Sequence, residues 1–348
     1  MIKKNLHDLP IWAVLAHNLY THQGQLLVAK GTVLKPTMVE KLMASGVTEV
    51  FLEGDELESH SFRKQENSKL DGAFLVGQVI VSDILDSVRS GRPIDCNDLK
   101  EAVNIFYPEV ISASNMFSQL LMLRNKDEYT AQHSIAVGAF GVKICQLLGL
   151  PEKAAKQVGT AGVMHDIGKV RIPDEVLNKP SPLDNDEWEQ MKKHPQYGYE
   201  ILKSAGDVEH EVQLAVLQHH ERLDRGGYPL SLASNTIHIF SRILAVSDSF
   251  DAMTSERVYR KPLSIFRASE ELMAEAYSGK LDVRIVVLFV NYILDMSPGQ
   301  QVLLSTGDIA DVIMPNKAEP ARPLVQTGGK YINLEKNREI WIEDFVKN

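Results

Sequence analysis

Apolar residues recur at helical spacing through most of the chain beyond residue 70, and in short alternating runs only near its two ends. Over residues 70–89, Phe74, Val79, Ile80, Ile84, Leu85 and Val88 follow one another at mostly three- to five-residue steps, which predicts a helix. A second helix is predicted over 96–123, after the breaker Ser90-Gly91-Arg92-Pro93, with Pro108 as a kink. This pair leaves two arrangements open, a lead into the following bundle or a coiled pair in a homodimer. Further on, His133, Val137, Phe140, Ile144 and Leu148 share one stripe, so His133 faces the interior of an amphipathic helix closed by Gly149 and Pro151. Residues 152–164 are rich in Ala and Gly, which predicts a helix that packs closely on a neighbour. Helices are predicted over 188–194, 208–220, 239–253, 266–278 and 282–296, and a loop over 170–186 with Pro173, Pro180 and Pro182.

The ends read differently. Residues 1–56 form a small α+β module. It has strands over 11–15, 26–34 and 47–52, a turn at His22-Gln23-Gly24, and a helix over 36–44 with Pro36 in its first turn. No cofactor or phospho-acceptor motif occurs in it, and a packing or dimerisation role is expected. Residues 54–69 are polar, charged and aperiodic, hence a linker. Residues 301–348 turn to short strands around Thr306-Gly307 and Gly328-Gly329, a small β appendage. The fold class is therefore mainly α, divided into a module (1–56), a linker with connecting helices (57–124), a helical domain (125–300) and the appendage (301–348).

With 348 residues, 44% of them apolar, a sizeable core is available. A net charge of -9 excludes a general nucleic-acid binder, whose contact face is basic, so no DNA partner is expected. Cys96 and Cys145 have neither disulfide-framework nor metal spacing, which suits a reducing compartment. The opening MIKKNLHDLPIW lacks the apolar core of a signal peptide, and the most apolar stretch, 285–294, is too short to span a bilayer. A soluble cytoplasmic protein is expected.

The chemistry centres on Ala161–Lys169, AGVMHDIGK, where His165-Asp166 ends an apolar run and Lys169 adds a cation. A buried ionisable pair is costly unless paired or bound to metal. His133 lies upstream; His194 (KKHPQYG), His219-His220 (LQHHERLDRGGYP) and Asp248 (VSDSFDAM) lie downstream. Five of the 11 histidines thus sit in or beside apolar helices. Imidazole and carboxylate together suit first-row divalent metals, and the absence of cysteine ligands in these runs argues against structural zinc. Two metals sharing a water suit displacement at phosphorus. Adjacent residues on a helix diverge by about 100°, so His219 and His220 meet one site only near a helix end. Lys169, Arg222, Arg257 and Arg260 are the cations available to a phosphate. His7, His17, His22, His60, His210 and His238 match no motif and are read as structural or exposed.

The whole set, H…HD.GK…HP..G…HHER.D..GYP…D.FDAMTS..R.Y over about residues 125–300, resembles the HD-GYP phosphodiesterases, a branch of the HD-domain metal phosphohydrolases. The resemblance implies the HD-domain bundle and hydrolysis of cyclic di-GMP to the linear dinucleotide, a second cleavage to GMP being left open. It implies two divalent ions per chain, Fe or Mn. One is held by His133, His165, Asp166 and Asp248. The other is held by His194, His219 and His220, with Asp166 bridging. Lys169 contacts the scissile phosphate, and Asp166 and Lys169 are the catalytic pair. Asp224, Gly227, Tyr228 and Pro229 shape the pocket, joined by Arg222; Asp251, Arg257 and Arg260 face the nucleotide. The Gly-Tyr-Pro loop is also implied as a contact for diguanylate cyclase partners.

Two departures stand out. Family members with a third metal carry a glutamate one turn before the first histidine; here the position is Tyr129, with Glu128 adjacent, so two metals are expected. The loop usually reads D-G-x-G-Y-P; here Arg225 replaces the first glycine, which costs about 1 kcal/mol if the site needs φ > 0. The added cation raises a second reading, preference for a mixed cyclic GMP-AMP dinucleotide. A reading from another class is a catalytically silent cyclic-dinucleotide receptor, which the complete set of seven ligand positions disfavours.

Overall fold

The helix that carries His133 is the one the bundle packs around. The computed structural model describes residues 2–5, 15–20, 26–30, 32, 34, 36–44, 47–52, 62–113, 116, 129–255 and 262–346. The N-terminal part comprises β1 (Ile2–Asn5), β2 (Leu19–Tyr20), β3 (Leu26–Val28), α1 (Pro36–Ala44) and β4 (Glu49–Leu52). The helical part runs α2 (Phe62–Arg89), α3 (Cys96–Ser112), α4 (Tyr129–Leu147), α5 (Glu152–Met164), α6 (Asp174–Leu177), α7 (Asn185–Met191), α8 (His194–Ala205), α9 (His210–Gln218), α10 (Ile239–Thr254), α11 (Ile265–Tyr277) and α12 (Val283–Asp295). Strands β5 (Gln301–Leu304), β6 (Ile309–Met314), β7 (Leu324–Thr327), β8 (Lys330–Asn333) and β9 (Ile342–Phe345) follow.

Every residue of α4 from 131 to 145 is buried. The single stripe expected from the sequence is thus a helix wrapped on all sides by α2, α3, α5, α10 and α12. Its closest neighbour is α5, and glycine sets the approach. A Cβ on Gly162 would stand 2.6 Å from Gly138 Cα, so only glycine lets these backbones meet. The Ala/Gly-rich composition of 152–164 is therefore a packing feature, as the sequence suggested.

The buried residues form two clusters. One, within the first 52 residues, is made of Leu15, Val28, Leu34, Leu42, Val50 and Leu52. The other runs from Leu70 through the helices to Ile342 and includes Val302, Leu304, Val312 and Val325 of the sheet. Helices α2 and α3 belong to this second core and pack against α4. The C-terminal sheet has the order β8-β7-β6-β5-β9, all neighbours antiparallel.

Several boundaries differ from the sequence reading. Helix α2 starts at Phe62, inside the stretch read as linker, because Arg63, Lys64, Gln65 and Glu66 are good helix formers that carry no apolar period. Helix α3 ends at Ser112 rather than at 123; of the expected remainder only Ala113 and Met116 are described. Strand β3 stops at Val28, where Thr32 N bonds Ala29 O in a turn. The strand expected over 11–15 falls outside the described residues except for Leu15, which bridges Leu52. His194 opens a helix instead of ending one, since Pro195 sits in the first turn, where its missing N–H costs nothing. Among the described residues no helix is long and apolar enough to cross a membrane.

Lys143 lies inside this core, its Nζ donating to Gln146 Oε1 at 2.9 Å and standing 5.4 Å from the Tyr292 ring. Burial pushes its ammonium down to about 8. A lysine depressed in the folded state costs stability below that pH, and the cost fades as pH rises toward the unfolded value near 10.4. Lys143→Met is expected to stabilise the protein at pH 7 by about 1–2 kcal/mol, with the advantage shrinking above pH 9. Thermal unfolding of both forms at pH 7 and 9.5 checks it; an equal gap at both pH values would remove burial of charge as the cause.

Candidate metal centre

Three helix ends and two helix interiors bring the donors together. Helix α5 ends at His165, and Asp166 (φ -98, ψ 4) starts a 3-10 turn over Ile167–Arg171. That turn lies against the start of α8. A Cβ on Gly168 would fall 1.9 Å from His194 O, so the glycine of the HD.GK run lets Asp166 and His194 share one site. Helix α9 ends at Gln218, leaving His219 and His220 beyond its last turn, where adjacent residues can converge. Their ring centroids are 4.0 Å apart. His133 comes from α4 and Asp248 from the buried face of α10.

The donors form two groups, His133–His165–Asp166 and His194–His219–His220, the ligand atoms within each lying within 4.8 Å of one another. Two carboxylates span them. Asp166 Oδ2 is 3.4 Å from His165 Nε2 and 3.7 Å from His133 Nε2, while Oδ1 is 3.3 Å from His194 Nε2. Asp248 Oδ1 is 3.4 Å from His133 Nε2, and Oδ2 is 3.8 Å from His220 Nδ1.

The tautomers are fixed from behind. His165, His194 and His219 each donate Nδ1–H to a backbone carbonyl, of Gly162 (2.8 Å), Met191 (2.8 Å) and Val216 (2.7 Å). Neutral rings held this way offer only lone pairs at Nε2. Burial lowers all three: His194 to about 4, with Asp166 opposing and Lys169 adding, and His219 well below its ordinary value, with His220 adding. His220 is lowered in the same way by burial, against Asp248. His133 is the exception: burial opposes its charge, but Asp248 and Asp251 outweigh burial and raise it to about 9. Burial likewise opposes the charge on Asp166 and Asp248, yet cationic and imidazole neighbours hold both carboxyls well below the usual range, Lys169 first for Asp166 and His133 first for Asp248.

At one corner three acceptors meet without a hydrogen between them. His194 Nε2 and His219 Nε2 are 3.3 Å apart, Asp166 Oδ1 is 3.3 Å from His194 Nε2, and that buried oxygen has no hydrogen-bond partner. Converging lone pairs in a dry site repel unless a cation lies between them. The donor set, neutral imidazoles with Nδ1 anchored and a carboxylate between, is that of a divalent-metal site. The residues present fit the metals the sequence implied.

Other site residues fall into place around this centre. Lys169 Nζ pairs with Asp166 Oδ2 and remains one-third exposed. Arg222 directs its guanidinium to His219 O (3.4 Å), Glu221 O (3.1 Å) and Ser249 Oγ (3.4 Å), which leaves fewer donors for a phosphate than the sequence reading supposes. Tyr228 lies over His220 with centroids 4.6 Å apart, and Pro229 follows it. Asp224 Oδ1 accepts from Gly226 N at 2.8 Å, making the turn that leads to Gly227. Asp251 does not face the nucleotide side: it is fully buried, its Oδ2 accepting from His133 Nδ1 at 2.7 Å and from Ser255 Oγ at 2.9 Å. The i, i+3 spacing from Asp248 aims one carboxylate at the donors and the other at the back of His133. Arg257 and Arg260 lie outside the described residues, as do Glu128 and the side chain of Tyr129.

Glu221, in the HHER run, carries no expected role from the sequence. It is buried, and its two carboxylate oxygens accept from Leu230 N (2.7 Å) and Leu232 N (2.9 Å), tying the loop to the segment that carries His219 and His220. A charged residue between two ligand histidines and a turn was the available signal. In the same loop Arg225 has φ 66, the left-handed region that favours glycine. Arg225→Gly is expected to raise stability by up to about 1 kcal/mol, strain relief being partly offset by the freer unfolded chain. A thermal midpoint that falls would show that Arg225 makes compensating contacts.

Comparison with known proteins bears on this geometry. The family described as HD domain matches residues 115–285. A cyclic di-GMP phosphodiesterase of Pseudomonas aeruginosa is 36% identical over 234 residues, 67% of this chain and 56% of that protein. The chain is an HD-GYP protein. A 3'3'-cGAMP-specific phosphodiesterase of Vibrio cholerae is 40% identical to this HD-GYP chain over 147 residues, covering 42% of the chain and 28% of that protein. An HDG"Y"P protein of Bdellovibrio bacteriovorus has the same fold, with a TM-score of 0.58 at 14% identity, covering 84% of this chain and 99% of that one. The HD-GYP chain spans about half the length of the curated relatives it matches, 56% and 46% of the first two.

Proposed function

We propose that this protein is a two-metal phosphodiesterase that hydrolyses cyclic di-GMP to the linear dinucleotide. One observation carries the reading: Asp166 turns its two oxygens toward opposite groups of histidines, each group sized for one ion. His133, His165, Asp166 and Asp248 would hold one ion and His194, His219 and His220 the other, with Asp166 shared. Iron or manganese suits this imidazole and carboxylate set. A bound pair of such ions lowers the pKa of a water and neutralises charge at phosphorus.

The protein's own residues do the rest. The carbonyls of Gly162, Met191 and Val216 hold three rings in the liganding tautomer. Lys169, one-third exposed beside Asp166, is set to meet the scissile phosphate and offset charge on the leaving oxygen. Glu221 clamps the loop so that Tyr228 and Pro229 wall the pocket over His220. The exposed edge of that loop, Asp224 to Gly226, is our candidate surface for a diguanylate cyclase domain, and the cytoplasm the compartment.

The test is turnover of cyclic di-GMP by protein purified anaerobically, with metal assayed on the same sample. About two ions per chain with hydrolysis would support the reading. Tight binding without turnover in a loaded sample would favour a receptor instead. The cGAMP-specific relative and the strained, exposed Arg225 favour one second reading, preference for a cyclic GMP-AMP dinucleotide. Running both substrates with wild type and Arg225→Gly tests it; an unmoved ratio rules out the arginine as the selector.

A further inference from the structure

The seven-residue helix α7 buries none of its residues, yet its place is fixed. Asp184 and Glu187 form a reciprocal capping box, Glu187 N to Asp184 Oδ1 at 3.0 Å and Asp184 N to Glu187 Oε2 at 2.8 Å. Lys179 Nζ binds the same glutamate at 2.7 Å. Polar contacts, not a core, hold this helix, and it runs directly into His194. What it presents is Trp188, an indole 44% exposed. The ring makes a T-shaped contact with Tyr228 at a centroid distance of 5.9 Å and an interplanar angle of 77°. Tyr228 in turn lies over His220 and stands 6.3 Å from the His194 ring. The two aromatics form a corner at the rim of the metal centre, one wall against the ligands and one open to solvent.

We propose that Trp188 is a substrate-contacting residue, on whose open face a purine base of the cyclic dinucleotide stacks while a phosphate reaches the metal centre. This rests on the reading of the site as a cyclic-dinucleotide site. An exposed tryptophan alone is ordinary. This one is rigidly presented by an otherwise unburied helix, beside the residue that walls the pocket. Flat, polarisable faces are what nucleobases seek, and each base stacked on an aromatic side chain contributes about 1–3 kcal/mol by alanine substitution. Because the base lies away from the reacting phosphorus, the contact is made equally in ground and transition states, so it acts on KM.

The experiment compares metal-loaded wild type with Trp188→Ala, Trp188→Leu and Trp188→Phe. KM for cyclic di-GMP is expected to rise about 5- to 150-fold in the alanine and leucine variants, with kcat and metal content unchanged, and to stay within about threefold in the phenylalanine variant. Binding of the dinucleotide should quench indole emission in wild type and lose most of that quench in Trp188→Phe, although Trp12 and Trp341 remain. An unchanged KM in Trp188→Ala overturns the proposal while leaving the phosphodiesterase reading intact. Loss of metal or of kcat in parallel with KM would make Trp188 a support for His194 and also overturn it. Failure of the wild type to bind or cleave any cyclic dinucleotide would overturn the functional reading, and the stacking role with it.

Discussion

Asp166→Asn is expected to lower cyclic-dinucleotide turnover by about 10³-fold and to reduce bound metal below two ions per chain. The substitution keeps shape and volume, so the fold should persist. What it removes is the charge that both histidine groups face. Asp166 is almost wholly buried, and lysine and imidazole neighbours keep it ionised in spite of that burial. Its Oδ1 lies 3.3 Å from His194 Nε2 without any hydrogen-bond donor. An asparagine amide placed there would either point its neutral oxygen at the His194 lone pair or turn its NH₂ toward His194 and occupy the liganding position with a hydrogen. Lys169 would lose its partner as well, leaving a half-buried cation beside the ions. Metal analysis on the same samples as initial rates decides the matter. Full metal occupancy with wild-type turnover would mean that Asp166 bridges nothing and that the two groups act separately.

How much of this centre was legible beforehand follows from what kind of information each residue carries. The seven donors stand in runs whose chemistry is unusual for a core, histidine beside aspartate or histidine at helix ends, and the structure assembles all seven into one site. Helix geometry alone set the condition for His219 and His220 to converge, because a 100° divergence has to be undone by ending the helix. The strain at Arg225 was likewise readable, since a side chain stands where a glycine is usual. Tertiary placement was not readable. Spacing puts Asp248 and Asp251 on one helical face, but only α4 packed against that face shows that the first reaches the donors and the second reaches behind His133. The same holds for α4 itself, whose polar residues Gln132, Ser134 and Lys143 blur a helix that is buried all round. Helix α7 was misplaced because Pro195 reads equally as a stop and as a first turn.

The reassignment of Asp251 leads to the sharpest contrast between sequence and structure. Asp251→Ala should weaken metal binding at the His133 group about 10- to 100-fold, the usual effect of removing the acceptor behind a liganding imidazole. In the structure Asp251 Oδ2 fixes the His133 ring through Nδ1 at 2.7 Å and is itself held by Ser255 Oγ at 2.9 Å. Without it the ring can rotate and exchange tautomers, and the liganding orientation becomes one of several. Proton competition works the other way. Asp251 also helps raise His133 to about 9, so in wild type a proton must leave that site before an ion can bind. The variant, with a lower imidazole pKa, gains little affinity as pH rises, whereas wild type gains up to pH 9. The deficit should therefore widen between pH 7 and 9, and Asp251→Asn, which keeps an acceptor but not the charge, should fall between the two. Once loaded with metal, the alanine variant should show an unchanged KM for the dinucleotide. A KM raised many-fold with metal affinity intact would return Asp251 to the nucleotide-facing role that the family resemblance implied, and would require the His133 contact to open when substrate binds.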